Sequence, residues 1–419
     1  MNHFDITDGV LHAEQVSLAE IAREVGTPVY VYSRGTIARH ARVFREALAG
    51  VGRVHIAFAV KANPNLAVLR LLAKEGYGAD VVSEGEMRRA LAAGIPAQEV
   101  VFSGVGKTTR ELVAALEAGI GQFNLESEEE GHELADIAEA RGLVASCALR
   151  VNPDVDAKTH AKISTGKAEN KFGVAYDRAA GIYARLAARP GLMMRGLAVH
   201  IGSQITDLEP SRQAFAKMGD LMRAIRADGF AVTHMDLGGG LGVPYKTTDV
   251  LPGPAEYGAM VADVTKDWDV TVMFEPGRVI VGNAGLLVTE VVRVKQGTGA
   301  PFVVVDAAMN DLARPAMYDA WHDFDAVAPS GETMVANIVG PICESSDTFA
   351  MGRTIDVVKA GDLAVFRTAG AYGATMANTY NSRALVPEVM VDGDKWALVA
   401  ARIEPSTILA AEQVPDWLA

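Results

Sequence analysis

Cysteine is nearly missing from this 419-residue chain. Cys147 and Cys343 are the only two, too few and too far apart for a disulfide framework. An excess of positive charge is missing too. Fifty-two acidic residues against 39 lysines and arginines leave a net charge of -13, which argues against nucleic acid or an anionic membrane surface as partner. No apolar run reaches membrane-spanning length. The first residues (Met1-Asn2-His3-Phe4-Asp5) lack the basic and then apolar stretch of a secretory signal. No repeat, low-complexity tract or long linker stands out, and no metal site is expected. These absences leave a cytoplasmic, globular protein. Its 49% hydrophobic and 22% charged residues suit a large core, and its length suits two or three domains.

Against that background the stretch Ile56 to Asn63 is unusual. Five apolar residues run straight into Lys61, and Asn63-Pro64-Asn65 then breaks the run. Lysine is rarely buried. At the end of an apolar strand, desolvation disfavours its ammonium form, and a neutral amine attacks carbonyls. Lys61 is therefore a candidate Schiff-base residue. The other reading is a lysine snorkelling its head out of the strand.

A rhythm follows. Strand-like runs are expected near Val54–Val60, Gly78–Val82, Val100–Phe102, Gly121–Leu125, Ser146–Val151, Gly196–Ile201, Thr233–Leu237 and Thr271–Phe274, with helical patterns between them. Eight strands alternating with helices mean a parallel sheet, and that number suggests closure. The expected class is α/β, an eight-stranded parallel (β/α) TIM-type barrel over residues 34–278. An open doubly wound sheet is the rival. Beyond Pro276 the texture turns β-rich, from Val279–Val294 to Trp396–Ala401, with a hairpin signal at Val391-Asp392-Gly393-Asp394-Lys395. Residues 1–33 and 279–419 are read as a C-terminal antiparallel β domain, to which Tyr30–Tyr32 adds a strand.

In a closed barrel, reactive groups gather at the C-terminal ends of the strands. Those ends read Lys61, Ser83, Ser103, Glu126, Asn152, His200, Gly238-Gly239-Gly240 and Glu275. Glycines after an apolar strand expose backbone N–H groups to a phosphate, to which Ser203 can add its hydroxyl. A tight turn explains the glycines equally well. Glu275-Pro276-Gly277-Arg278 offers a carboxylate for a pyridine nitrogen and a guanidinium for an anion, or else a structural ion pair. His200 is a base, a stacking partner or a structural histidine. A lysine, a phosphate cradle, a carboxylate and a histidine at one barrel mouth fit pyridoxal 5'-phosphate.

These segments resemble the fold-type III pyridoxal-phosphate-dependent decarboxylases, specifically the diaminopimelate decarboxylases. The likeness runs along nearly the whole chain. It rests on Ala59-Val60-Lys61-Ala62-Asn63, Ile163-Ser164-Thr165-Gly166 with Asn170-Lys171-Phe172-Gly173, and His200-Ile201-Gly202-Ser203-Gln204. Further along come Gly238-Gly239-Gly240, Glu275-Pro276-Gly277-Arg278, Arg314-Pro315-Ala316-Met317-Tyr318, Cys343-Glu344-Ser345-Ser346-Asp347 and Ala371-Tyr372-Gly373. The resemblance implies decarboxylation of meso-2,6-diaminopimelate to L-lysine and CO2. It implies Lys61 as the aldimine lysine, His200 stacked on the ring and Glu275 on the pyridine nitrogen. Ser203, Gly239, Gly240, Gly277 and Arg278 would surround the phosphate. Arg278, Arg314 and Tyr318 would grip the distal carboxylate of the substrate and Glu344 its distal ammonium, while Tyr372 touches cofactor and substrate. Cys343 would be a proton donor reaching the Lys61 site of the other subunit in a homodimer.

From the residues, Cys343 beside Ile338–Ile342 reads as a neutral thiol able to protonate a carbanion, or as a small buried hydrophobe. Cys147 reads as core. Within the fold, an ornithine, arginine or carboxynorspermidine decarboxylase is the runner-up, and a cationic substrate tail would want an acid where Arg314 stands. An alanine racemase-like enzyme would need a second base, and a class I aldolase would need no β domain. A non-catalytic homologue acting as a binding protein would show loss of Lys61 or Cys343, and both are present.

Overall fold

The computed structural model describes residues 2–156 and 170–418. They divide into two compact units. One comprises Ala38–Pro244 with Val250–Ile280, the other Met1–Ile37, Tyr245–Asp249 and Val281–Ala419.

The first unit is a closed barrel of eight strands, β1 (Arg53–Ala59), β2 (Gly78–Val81), β3 (Val100–Phe102), β4 (Gln122–Leu125), β5 (Ala145–Asn152), β6 (Leu192–Ala198), β7 (His234–Asp236) and β8 (Thr271–Phe274). Each pairs in parallel with the next, and β8 returns to β1 with Phe274 opposite Ile56. Strands covered on both faces read as nearly continuous apolar runs, as the buried Val100–Phe102 does. Side chains in the first turn set where the intervening helices begin. Thr108 and Glu111 form a reciprocal capping box, and Ser83 and Ser127 each accept an N–H three residues on. The helices after β2 and β4 thus start three residues beyond the strand's C-terminal end, at Glu84 and Glu128.

The second unit is a nine-stranded sheet with the long strand Gly285–Lys295 at its centre. Most pairs are antiparallel. Two are parallel, Val29–Ser33 with Glu388–Asp392 and Phe302–Val305 with Thr333–Val339. Its core gathers Phe4, Leu11, Leu18, Val31, Val288, Val365 and Val389. The hairpin turns at Gly393 (φ 64), with Asp392 opposite Lys395.

Several sequence expectations shift here. The first barrel strand stops at Ala59, and Val60–Ala62 form a 3-10 turn carrying Lys61. The chain must turn there because Asn63 Oδ1 accepts the Asn65 N–H (3.1 Å) and Asn65 Oδ1 caps the next helix at Ala67 N (2.9 Å). The β-branched run at Val279–Val281 begins no strand. It winds into a short helix, Arg278–Val281, with Ile280 N on Gly277 O (3.0 Å). The strand Thr348–Asp356 escapes the pattern because register shifts and Gly352 (φ 57) erase its alternation. No helix among the described residues is long and apolar enough to cross a membrane. No group of three or more His, Cys, Asp or Glu among them can hold a metal ion.

Candidate active site

At the C-terminal rim of the barrel lies a cavity of about 200 Å³ whose lining includes Lys61, Arg150, His200, Asp236 and Glu275. Lys61 Nζ stands 2.6 Å from Asp80 Oδ2. The Asp80 side chain is fully buried, whereas the lysine side chain keeps 37% of its surface exposed. Lys61 is thus less desolvated than its place after an apolar run suggests, and a carboxylate stands at contact distance.

Two more acids line the same cavity. Asp236 closes β7 and Glu275 follows β8, and backbone bonds from Leu237 N to Met273 O (2.9 Å) and Glu275 N to Gly238 O (2.8 Å) hold the two segments together. Burial, then the charges of Asp236 and Asp80, push the Glu275 carboxyl well above the usual range. Asn124 Nδ2 reaches Asp236 Oδ2 (2.9 Å) and Glu275 Oε1 (3.3 Å), and Ser103 Oγ donates to Glu275 Oε1 (3.3 Å).

His200 lies two residues beyond β6, and Gly239 N donates to its Nδ1 (3.3 Å). Burial, then the cations Arg150 and Lys61, hold its imidazole well below its ordinary value, so the ring is neutral. At Gly239 and Gly240 no side chain is possible. A Cβ on the first would overlap the Glu275 carbonyl oxygen, and on the second, already at φ +109, the Gly202 carbonyl oxygen. The chain is bare where an anion must approach the backbone. Arg278 Nη2 donates to Ser203 Oγ (3.1 Å), which sets a cation and a hydroxyl together on the same rim. Across the cavity Arg150 pairs with the buried Glu126 (2.6 Å) and lies over the Phe172 ring (4.8 Å). Glu126 Oε2 also accepts Gly173 N (2.8 Å).

The remaining candidates lie in the sheet unit. Arg314 opens the short helix Arg314–Tyr318 and is buried. Its Nη1 is 2.8 Å from His322 Nε2 and its guanidinium stacks over Tyr245 (4.3 Å). Tyr318, half-buried, ends the same helix. Cys343 is exposed, so the small-hydrophobe reading fails: in its run Ile342 turns inward while Pro341 and Cys343 face out. Asn381 Nδ2 lies 3.5 Å from its sulfur. Glu344 beside it is held below the usual carboxylate range by the Ser346 hydroxyl (2.6 Å) and then by Tyr380. Tyr372 takes a left-handed φ of 55, uncommon for an aromatic residue. Cys147 is core, its thiol pushed up by burial. The segment Ile163-Ser164-Thr165-Gly166, and with it the middle of the loop placed between Asp154 and Lys171, lies outside the described residues.

Sequence reasoning missed Asp80, Asn124, Asp236, His322 and Asp347. An acid inside an apolar strand (Gly78-Ala79-Asp80-Val81, or Met235-Asp236-Leu237) was the available signal, since unpaired buried acids are costly. Asp347 templates the cysteine loop, taking Met309 N (2.7 Å) and Ile342 N (2.6 Å) on its two oxygens. Nothing in the spacing marks it.

The donor set fits pyridoxal phosphate. Three acids surround one lysine, so a cationic ring nitrogen would relieve their surplus charge, and the bare glycine loop beside Ser203 and Arg278 suits a phosphate. Residues 34–282 match the family described as pyridoxal-dependent decarboxylase, pyridoxal binding domain. The chain is 52% identical to a diaminopimelate decarboxylase of Zymomonas mobilis over 99% of each chain. Its fold is similar to that of the Helicobacter pylori diaminopimelate decarboxylase solved with L-lysine (TM-score 0.90, 38% identity, covering 94% of this chain and 98% of that one). It is similar also to the M. jannaschii enzyme solved with L-lysine (TM-score 0.96, 34% identity, covering 100% of both). On the cavity, the fold and this likeness together, the chain belongs to the pyridoxal-dependent decarboxylase family, among its diaminopimelate decarboxylases.

Proposed function

We propose that this chain removes CO2 from meso-2,6-diaminopimelate to give L-lysine, working as a cytoplasmic homodimer with shared active sites. The observation that carries the reading is the lysine set among three acids at the rim of the barrel, two of them, Asp80 and Asp236, fully buried. Residues 34–278 are read as the cofactor-binding domain. Pyridoxal phosphate, when bound, supplies an electron sink for the pair left at the α-carbon as CO2 departs. Everything else falls to the chain.

Lys61 would hold the cofactor's aldehyde carbon. Glu275 would keep a proton at the ring nitrogen by setting a carboxylate charge against it. Neutral His200 would stack without adding a second cation, and Tyr372 would close on ring and substrate. Ser203, Gly239, Gly240, Gly277 and Arg278 would take the phosphate. Arg278, Arg314 and Tyr318 would grip the distal carboxylate, with Glu344 on the distal ammonium. Such a two-charge grip spends remote binding energy on orienting the scissile bond. Cys343 of the second subunit would deliver the proton to the α-carbon.

CO2 release from meso-diaminopimelate, ornithine, arginine and lysine tests the substrate. Turnover of meso-diaminopimelate alone is expected, and turnover of ornithine with none of diaminopimelate would refute it. Arg314→Ala is expected to lower kcat/KM for diaminopimelate about 10²-fold, since a charge-assisted pair with the carboxylate is lost. Packing against Tyr245 and His322 holds that guanidinium in place. Unchanged kinetics in the folded variant would remove Arg314 from the site.

A further inference from the structure

We propose that His322 is a positioning residue for the substrate grip. Locked as the neutral tautomer with its proton on Nδ1, it fixes the plane in which Arg314 meets the distal carboxylate. The inference rests on the reading of Arg314 as that carboxylate's partner, and adds to it a residue acting through the guanidinium.

The tautomer follows from which neighbours can only give a proton and which can only accept one. His322 Nδ1 lies 2.7 Å from the Arg367 carbonyl oxygen, which has no hydrogen to offer, so Nδ1 must carry one. His322 Nε2 lies 2.8 Å from Arg314 Nη1. A guanidinium stays protonated and accepts nothing, so Nε2 must present its lone pair. Only the Nδ1–H form of a neutral ring meets both demands. An imidazolium would set N–H against N–H across the same 2.8 Å and place a second cation on the first.

The surroundings keep the ring from turning. His322 and Arg314 are 2% and 6% exposed. Tyr245 stands edge-on to the His322 ring, with centroids 5.3 Å apart, and stacks on the Arg314 guanidinium at 4.3 Å, so one phenol braces both. The carbonyl oxygen of His322 accepts Arg353 Nη1, and Arg367 N bonds to Asp323 O (2.9 Å). The acids on this segment are engaged, Asp323 by Trp321 Nε1 (2.6 Å) and Asp325 by the Arg367 guanidinium. Bidentate recognition of a carboxylate requires the arginine fork to lie in the carboxylate's plane. A neutral acceptor sets that plane without cancelling the charge that the substrate is to meet, as an acid in its place would.

Two readouts test this. In ¹⁵N-histidine-labelled protein at neutral pH, the resonances that His322→Gln removes should report a protonated Nδ1 and a bare Nε2. A bare Nδ1, or an imidazolium, would overturn the tautomer. Binding then separates positioning from packing. An asparagine amide reaches only the place of Nδ1, whereas the amide oxygen of glutamine reaches that of Nε2. L-Lysine keeps the distal carboxylate of diaminopimelate, and His322→Asn should raise its Ki about tenfold with the bound-cofactor absorbance unchanged. His322→Gln should bring that Ki back to within about threefold of wild type. An unchanged Ki in His322→Asn, or equal losses in the two variants, would overturn the proposal. Should His322→Asn fail to fold, the tautomer resonances decide alone. An Arg314→Ala variant that bound L-lysine as wild type does would instead sink the reading of Arg314, and with it the role of His322 in the grip, while the tautomer still stood.

Discussion

Lys61→Ala protein should lose the visible absorbance of bound cofactor and at least about 10⁴-fold in kcat, because no other amine replaces the lost nucleophile. A second consequence separates this from an ordinary active-site deletion. Asp80 is fully buried, its Oδ1 makes no hydrogen bond among the described residues, and its Oδ2 rests on Lys61. Removing the lysine leaves that carboxylate uncompensated beside Glu275 and Asp236. A buried acceptor left unsatisfied costs about 1–3 kcal/mol, and the outcome belongs at the lower end because Lys61 is partly solvated. Asp80→Asn added to Lys61→Ala should recover most of the stability in a denaturant titration and none of the activity. If the single variant were as stable as wild type, the pair would be an incidental contact. If the visible absorbance survived, Lys61 would not hold the cofactor.

That result would also explain why Lys61 was legible from sequence and Asp80 was not. A lysine closing five apolar residues is conspicuous on its own. Asp80 gains meaning only when β2 lies beside β1 and brings Ala59 opposite it, and no linear pattern states that pairing. Asp236 and Asn124 are similar. They lie 112 residues apart and meet because the barrel closes. The strands themselves were visible because burial on both faces demands unbroken apolar runs, as in Val100–Phe102 and Thr271–Phe274.

The sheet unit gave less away. Its strands are covered unevenly, Thr348–Asp356 carries register shifts, and Val279–Val281 offers β-branched residues to a helical turn. Arg314 was visible as a charge, yet its fixed direction comes from His322 and Tyr245, one of them in a segment 69 residues earlier in the chain. The exposure of Cys343 was hidden for the same reason. Ile338–Ile342 looks like a buried run, and only the clasp of Asp347 on Met309 and Ile342 turns the thiol outward.

That outward thiol makes Cys343→Ala the sharpest test of how the sites are assembled. If Cys343 protonates the product's α-carbon, its loss should lower kcat about 10³-fold, within the range typical of a positioned general acid. KM for diaminopimelate should change little, since the distal grip is intact. Stability should hold as well, because an exposed side chain with a long 3.5 Å contact to Asn381 contributes little to the fold. Mixing then decides where the proton comes from. In dimers that pair Lys61→Ala with Cys343→Ala, a shared site combines the intact lysine of one chain with the intact cysteine of the other, and the second site has neither. Random reassortment of equal amounts should restore about a quarter of wild-type activity, one working site in half of the dimers. If each site drew both residues from one chain, every mixed dimer would be dead and mixing would recover nothing. Recovery to about a quarter therefore requires both an isologous dimer and a thiol that crosses it.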